Sequence, residues 1–287
     1  MTQAPKNDLA GRVAVITGAG GGIGLALALD AARRGMDVVL ADIGTEALAS
    51  AKSQVEALGV RAITVQTDVR HLAELEVLRD QATAQLGEPW LLVNNAGVAK
   101  IALAWETGEA DWKRLIDINV WGVINGLLAF LPGLRARQSG YILNTASVGG
   151  LLAMPANAAY VASKHAVVGL SETLFRELEA DGSKVGISVL CPALVKTAIA
   201  GTKQVDGKTV SAIDSPNAME PADVARIALD AVEANQFWIL THGEHISPYM
   251  RARLEQMTGQ RNPDRTSVDR SILETAAAAT GLDFLHV

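Results

Sequence analysis

The chain has 287 residues, 49% hydrophobic and 20% charged, the composition of a folding globular protein rather than a disordered or fibrous one. A formal net charge of -6 leaves no basic footprint for nucleic acid or an anionic membrane surface, so a small-molecule partner is expected. The single cysteine, Cys191, has no disulfide partner and lies in an apolar run, which reads as a buried structural thiol in a cytoplasmic protein.

The polar start, Met1 to Leu9, lacks the apolar core of a secretory signal, and residues 1–10 are expected to be a flexible N-terminus. Apolar runs such as Ala26 to Ala32 and Leu127 to Leu131 are shorter than the ~18 to 20 residues of a membrane span, so no membrane partner is expected. From Arg12 to about Leu240, short β-branched runs alternate with longer helical patterns. That rhythm predicts βαβ units and a parallel sheet.

In chain order the predicted elements are strand Val13 to Thr17, helix Ile23 to Arg34, strand Asp37 to Ala41 and helix Thr45 to Leu58. Strand Ala62 to Gln66, helix Leu72 to Leu86, strand Leu91 to Asn94 and one helix from Glu109 to Leu131 follow. Strand Tyr141 to Thr145, helix Ala158 to Ala180, strand Gly186 to Cys191, helix Pro221 to Ala234 and strand Trp238 to Thr241 complete the series. The strands are apolar on both faces, as strands covered by helices on both sides are. The expected fold is a single-domain, Rossmann-type, doubly wound parallel α/β sheet over residues 11–243. Residues 198–217 read as a long lid loop over the substrate, and 244–287 as a C-terminal extension able to pack on a neighbouring subunit.

Thr17-Gly18-Ala19-Gly20-Gly21-Gly22-Ile23-Gly24 joins the first strand to the first helix. A helix N-terminus presents free N–H groups and a positive dipole end, and glycine permits a backbone to approach a pyrophosphate closely. Gly18, Gly21, Gly22 and Ile23 are therefore candidate cofactor contacts. No Lys follows the last glycine, so the turn is not a Walker-type loop. Asp42 ends the second strand, where a carboxylate accepts hydrogen bonds from ribose hydroxyls and repels a 2'-phosphate. With no Arg or Lys at Gly21 or Ile43, the prediction is NAD rather than NADP.

Tyr160 and Lys164, spaced i, i+4, share one helix face. An ammonium near a phenol stabilises phenolate and lowers its pKa from the usual value of about 10. Ser147, just beyond the fifth strand, lies at the edge where parallel sheets place ligands, and its hydroxyl can polarise a carbonyl.

From Arg12 to about Thr241 the chain resembles the short-chain dehydrogenase/reductase family. The motifs that carry the resemblance are Thr17-Gly18-x-x-x-Gly22-x-Gly24, Asp68-Val69, Asn94-Asn95-Ala96-Gly97, Asn119, Ser147, Tyr160-x-x-x-Lys164 and Pro192-x-x-Val195-x-Thr197. The resemblance implies Tyr160 as general acid/base, Ser147 orienting the substrate oxygen, and Lys164 binding the nicotinamide ribose while tuning Tyr160. Asn119 would hold a water of the proton relay. It further implies that Asp68 and Val69 frame the adenine, Asn95, Ala96 and Gly97 lie along the adenosine ribose, and Val195 and Thr197 meet the nicotinamide carboxamide. A homotetramer or homodimer through the helices carrying Asn119 and Tyr160 is implied as well. One departure stands out: the family usually has Pro-Gly after the sixth strand, and here the pair is Pro192-Ala193.

The expected reaction is hydride transfer between NAD(H) and a secondary alcohol or ketone. The apolar set Val148, Leu151, Leu152 and Met154 favours a hydrophobic or aromatic substrate. The rival reading is a non-catalytic NAD-sensing regulator on the same fold, against which the joint presence of Ser147, Tyr160 and Lys164 argues. His242 and His245 lack a third ligand nearby, so no metal is expected. Trp105 and Trp112 read as aromatic packing residues.

Overall fold

A computed structural model describes residues 7–200, 202–205, 208–211 and 218–284. Four βα steps and a fifth strand build the first part of the chain: β1 (Val13–Thr17), α1 (Gly22–Arg33), β2 (Asp37–Asp42), α2 (Thr45–Glu56), β3 (Ala62–Gln66), α3 (Leu72–Gln85), β4 (Pro89–Asn94), α4 (Glu109–Ile116) with α5 (Gly122–Arg137), and β5 (Gly140–Thr145). The long α6 (Ala158–Ala180), β6 (Val185–Cys191), a hairpin of β7 (Thr202–Val205) and β8 (Lys208–Ser211), α7 (Pro221–Glu233) and β9 (Trp238–Leu240) follow. The chain ends in α8 (Gly243–Thr258) and α9 (Arg270–Thr280).

Seven strands form one sheet in the order β3-β2-β1-β4-β5-β6-β9, and every pair is parallel. Side chains alternate between the two covered faces. Ala14 and Ile16 of β1 join a core with α1, α2 and α7, whereas Val13 and Val15 join one with α3 and α5. Because the order runs outward from β1 in one direction and from β4 in the other, a crevice opens between their C-terminal ends, where doubly wound sheets bind ligands. Thr17, Asn95, Ser147 and Pro192 all lie just at or beyond such ends.

Several expectations need correction. The single helix predicted over Glu109 to Leu131 is divided by a π-helical segment, Asp117–Trp121, which contains Asn119, and it continues to Arg137. A π segment shifts hydrogen bonding from i→i+4 to i→i+5, which periodicity of apolar residues does not reveal. The joined stretch 109–137 also has the length and apolar composition of a membrane span, but half of its apolar 18-residue window is buried, with Asn125 bonding to the Val69 carbonyl inside the core. The loop predicted over 198–217 contains an antiparallel hairpin, Thr202–Val205 with Lys208–Ser211; residues 201, 206–207 and 212–217 lie outside the described residues.

The flexible start also proves partly tied down. Residues 1–6 lie outside the described residues, but the Asn7 backbone and side-chain amides donate to the carbonyls of Glu233 and Val232, and Leu9 is buried. Trp105, expected to pack, is 77% exposed. The C-terminal extension lies on its own chain: Arg253 donates to the Leu151 carbonyl, and Ala276 and Phe284 pack with Leu103 and Ala156.

Candidate active site

The glycine turn is built by steric need. Gly18 and Gly22 have φ of +66° and +54°, a left-handed conformation that favours glycine. A Cβ on Gly24 would fall 2.0 Å from the Gly18 carbonyl oxygen, so the turn and the first coil of α1 can close only on a bare backbone. Gly21 has open space where its side chain would be, facing the cavity. The turn is pinned from behind by β4: Thr17 Oγ1 accepts from the backbone N–H groups of Asn95 (3.0 Å) and Ala96 (3.1 Å), and Asn95 Nδ2 donates to the Thr17 carbonyl at 3.1 Å.

Asp42 stands at the outer end of this cradle. Its carboxylate accepts from the backbone N–H groups of Gly20 and Gly44, each at 3.0 Å. A Cβ at Gly20 would lie 3.0 Å from that carboxylate oxygen and 2.9 Å from the Ala47 methyl, which gives this glycine a role the sequence did not single out.

A cavity of about 300 Å³ runs from here across the sheet edge, lined by Gly18, Gly21, Gly22, Ile23 and Asp42 at one end and by Ser147, Tyr160, Lys164, Val195 and Thr197 at the other. A second cavity of about 430 Å³ shares Gly18, Asp42, Ala96 and Gly97 and is bounded by Asp68, Val69, Arg70 and Arg114. Arg70 pairs with Asp68 at 2.5 Å, and this guanidinium holds the Asp68 carboxyl below the usual carboxylate range. Together the two cavities collect every residue expected to touch the cofactor. They also include Thr145, buried, whose Oγ1 has no hydrogen-bond partner.

The residues fit a dinucleotide. A bare-backbone cradle lies where a pyrophosphate would approach, a carboxylate lies where ribose hydroxyls would donate, and an unpartnered hydroxyl and an ammonium border the far end.

The helix carrying Tyr160 and Lys164 is held by a buried polar chain. Asn94 Nδ2 donates to Asn144 Oδ1, Asn144 Nδ2 to Ser171 Oγ, and Ser171 Oγ to the Val167 carbonyl, linking β4, β5 and α6. Asn119, fully buried, clamps the Val98 backbone in both directions at 2.9 Å and donates to Ser163 Oγ at 3.0 Å. Both of its amide hydrogens are therefore engaged. Ser163 in turn donates to the Tyr160 carbonyl, which fixes the first turn of α6.

Ser147 and Tyr160 line the same cavity, and Ser147 Oγ accepts from the Gly149 N–H at 3.0 Å and donates to the Pro192 carbonyl at 3.4 Å. Lys164 Nζ donates to the Thr145 carbonyl at 2.9 Å and lies 5.8 Å from the Tyr160 ring centre. Burial dominates both titrations. It pushes the Tyr160 phenol up, against the opposing hydrogen bond from Ser147, and pulls the Lys164 ammonium down to about 8. The expected lowering of the Tyr160 pKa by Lys164 is not seen: burial sets the direction, and it is upward.

His245 pairs with Asp269 in the C-terminal extension, and among the described residues no group of three or more His, Cys, Asp or Glu could hold a metal ion.

Residues 12–207 match the short chain dehydrogenase family. The chain is 38% identical over 199 residues to a putative oxidoreductase, SadH, of Mycobacterium tuberculosis, covering 69% of this chain and 72% of that protein. It is 28% identical over 277 residues to the CLA biosynthesis dehydrogenase/reductase of Lactiplantibacillus plantarum, covering 90% and 96%. Among solved structures, a short chain dehydrogenase/reductase of Burkholderia phymatum in complex with NAD superposes with a TM-score of 0.83 at 38% identity, over 90% of this chain and 98% of that one. The apo form of LigD from Sphingobium sp. strain SYK-6 superposes with a TM-score of 0.77 at 27% identity, over 89% and 100%. Matched over more than half its length, and bearing its glycine cradle and its Ser-Tyr-Lys group on one cavity, the chain belongs to the short-chain dehydrogenase/reductase family of oxidoreductases.

Proposed function

We propose that the protein interconverts a secondary alcohol and its ketone with NAD(H) as hydride partner, on a hydrophobic or aromatic substrate. The observation that carries this reading is the convergence of Ser147, Tyr160 and Lys164 on one cavity with the acid-ended glycine cradle. A regulator that only sensed the dinucleotide would have no use for all three.

Gly18, Gly21, Gly22, Ile23, Asn95, Ala96 and Gly97 would hold the pyrophosphate and adenosine ribose, Asp68 and Val69 the adenine, and Val195 and Thr197 the carboxamide. When bound, the nicotinamide takes up or releases the hydride. Tyr160 moves the proton at the substrate oxygen, and Ser147 fixes that oxygen by hydrogen bonding. Lys164 holds the nicotinamide ribose and, when charged, favours the tyrosinate. Asn119 braces the Val98 backbone beneath the site. A relay water at this residue must be held without the amide hydrogens, which are already donated.

Asp42 supports NAD over NADP. Its charge, kept at the ribose end by two backbone N–H groups, would repel a 2'-phosphate, and Arg70 is engaged with Asp68. Trp121, at the end of the π segment, and Leu128 of α5, seven residues apart and half exposed, support assembly into a homotetramer or homodimer through this helical stretch.

Fluorescence titration with NADH and NADPH, followed by turnover of a panel of secondary alcohols and ketones, tests the reading. Tighter NADH binding and NAD(H)-dependent turnover of apolar substrates are expected. Binding without turnover of any member would overturn the catalytic reading in favour of the sensor, and an NADPH preference would overturn the role of Asp42.

A further inference from the structure

At the edge of the sheet opposite the cofactor cradle, Arg12, Arg34, Arg61, Arg137 and Lys184 each lie shortly before a strand. Arg34 pairs with Asp30, Asp230 and Glu233, Arg61 with Asp37, and Arg137 with Glu88. Arg12 and Lys184 differ: among the described residues neither side chain has an ion pair or a hydrogen bond. The Arg12 guanidinium carbon instead lies 4.1 Å from the centre of the Trp90 ring. An aromatic face attracts a cation without offering an oxygen to its N–H groups, so the guanidinium keeps its donors for one.

Both cations line a cavity of about 530 Å³, larger than either cavity that faces the cofactor and sharing no residue with them. Its walls are fixed by the fold. The rings of Trp90 and Tyr141 lie 6.0 Å apart, and Tyr141 is held through its hydroxyl by Ser188 at 2.8 Å, which donates to the Gln236 carbonyl at 2.7 Å. A Cβ on Gly186 would fall 2.2 Å from the Tyr141 ring, so β6 passes this ring only as bare backbone. Gln138 accepts from the Lys184 backbone N–H at 3.2 Å and ties the start of β6 to the turn before β5. Glu179 is the only carboxylate in the lining, and it pairs with neither cation. Two cations against one carboxylate leave the lining with one positive charge in excess.

We propose that this cavity is a second binding site, for a small aromatic monocarboxylate. Its carboxylate takes the Arg12 guanidinium and the Lys184 ammonium, and its ring lies against the wall of Trp90, Tyr141 and Phe175. The planar guanidinium matches the two oxygens of a carboxylate, and binding supplies the acceptor that the fold withholds from Arg12. A single negative charge cancels the excess in the lining, whereas a phosphate dianion would leave one over. The volume lies within the ordinary range of small-molecule sites, about 300 to 1,000 Å³. Because β1, β4, β5 and β6 present their C-terminal ends to the cofactor and their N-terminal ends to this cavity, the acid and the dinucleotide bind together without competing.

The test is calorimetric titration of the full-length, NADH-loaded protein with benzoate, its neutral isostere benzamide, and inorganic phosphate. Benzoate is expected to bind, with benzamide and phosphate about tenfold weaker or more. Arg12→Gln should weaken benzoate about tenfold or more and Lys184→Gln about threefold, with NADH affinity unchanged. Glu179→Gln removes the opposing charge and should strengthen benzoate about threefold. Glu179 and Lys184 are exposed, so their opposite shifts decide the matter even where Arg12→Gln weakens the fold. Benzoate seated in the substrate cavity would respond to none of the three variants, and that result would overturn the site. No benzoate binding at about 10 mM would overturn it too, as would benzamide or phosphate binding as tightly as benzoate.

Discussion

The coenzyme half and the substrate half of this molecule are built on opposite principles. Between β1 and β4 the site is made of main chain: Gly18, Gly22 and Gly24 are fixed by φ or by a neighbouring carbonyl, and Thr17 and Asn95 hold them from beneath. The small pocket beside it is instead lined mostly by aliphatic side chains from three segments, one of them the C-terminal extension. Where backbone must touch a ligand, few residue types are allowed. Where side chains enclose an apolar group, many combinations of similar volume serve.

The largest test of this contrast lies at the seam between the halves. Tyr160→Phe removes one hydroxyl and leaves the cradle intact, so turnover should fall about 10²- to 10⁴-fold while NADH binding by fluorescence stays within a fewfold of the native protein. Near-native turnover would mean that proton transfer does not run through this phenol.

A smaller effect is expected at the outer end of the cradle. Asp42→Ala removes the carboxylate from a region that Arg70 and Arg114 also line, so the ratio of NAD to NADP efficiency should fall about tenfold or more. An unchanged ratio would show that some other group excludes the 2'-phosphate.

The same contrast explains what was legible. All seven strands of the main sheet and the order of helices followed from hydrophobic period and glycine punctuation, because parallel strands covered on both faces must be apolar throughout. That Asp42, Ser147, Tyr160 and Lys164 meet at one sheet edge was readable because each lies at a strand end or on the helix that follows one, and all four line one cavity. The electrostatic state of the pair was not readable. Spacing puts Lys164 beside Tyr160, but the dominant effect is burial, which depends on residues far away in sequence such as Gly97 and Thr145. The π turn around Asn119 and the hairpin at 202–211 escaped for a related reason: neither leaves a mark in apolar period.

Lys164 supplies a test of that buried electrostatics. Its folded-state pKa of about 8 lies below the unfolded value of 10.5. Between those values the unfolded chain holds a proton that the folded chain has released, so the contribution of this residue to stability rises with pH across the window. The slope is up to about 1.4 kcal/mol per pH unit. Urea unfolding of the ligand-free protein and of Lys164→Met, from pH 7.5 to 10, should show the difference between the two converging as pH rises. Parallel curves would mean that the amine is solvated.

The smallest effect belongs to the extension and decides whether it is a wall or a tail. Burial acts to raise the Asp269 carboxyl, but the hydrogen bonds from Ser271 and His245 outweigh it and leave the pKa below the ordinary value. A carboxyl depressed on folding stabilises the fold above the unfolded pKa of about 3.9 and loses that contribution as pH falls through the folded value. His245 is half exposed, so solvent screening limits the pair to about 1 kcal/mol or less. Asp269→Asn keeps a side-chain oxygen to cap α9 and removes the charge together with the oxygen that His245 bonds. At pH 7 it should therefore lower stability by a few tenths to about 1 kcal/mol and hasten proteolytic cleavage within 243–284, with the difference from native shrinking as the pH falls below about 3.9. A tail that merely lay on the surface would be cleaved equally fast in both proteins. A segment held in place through Asp269 would be cleaved faster once that carboxylate is lost.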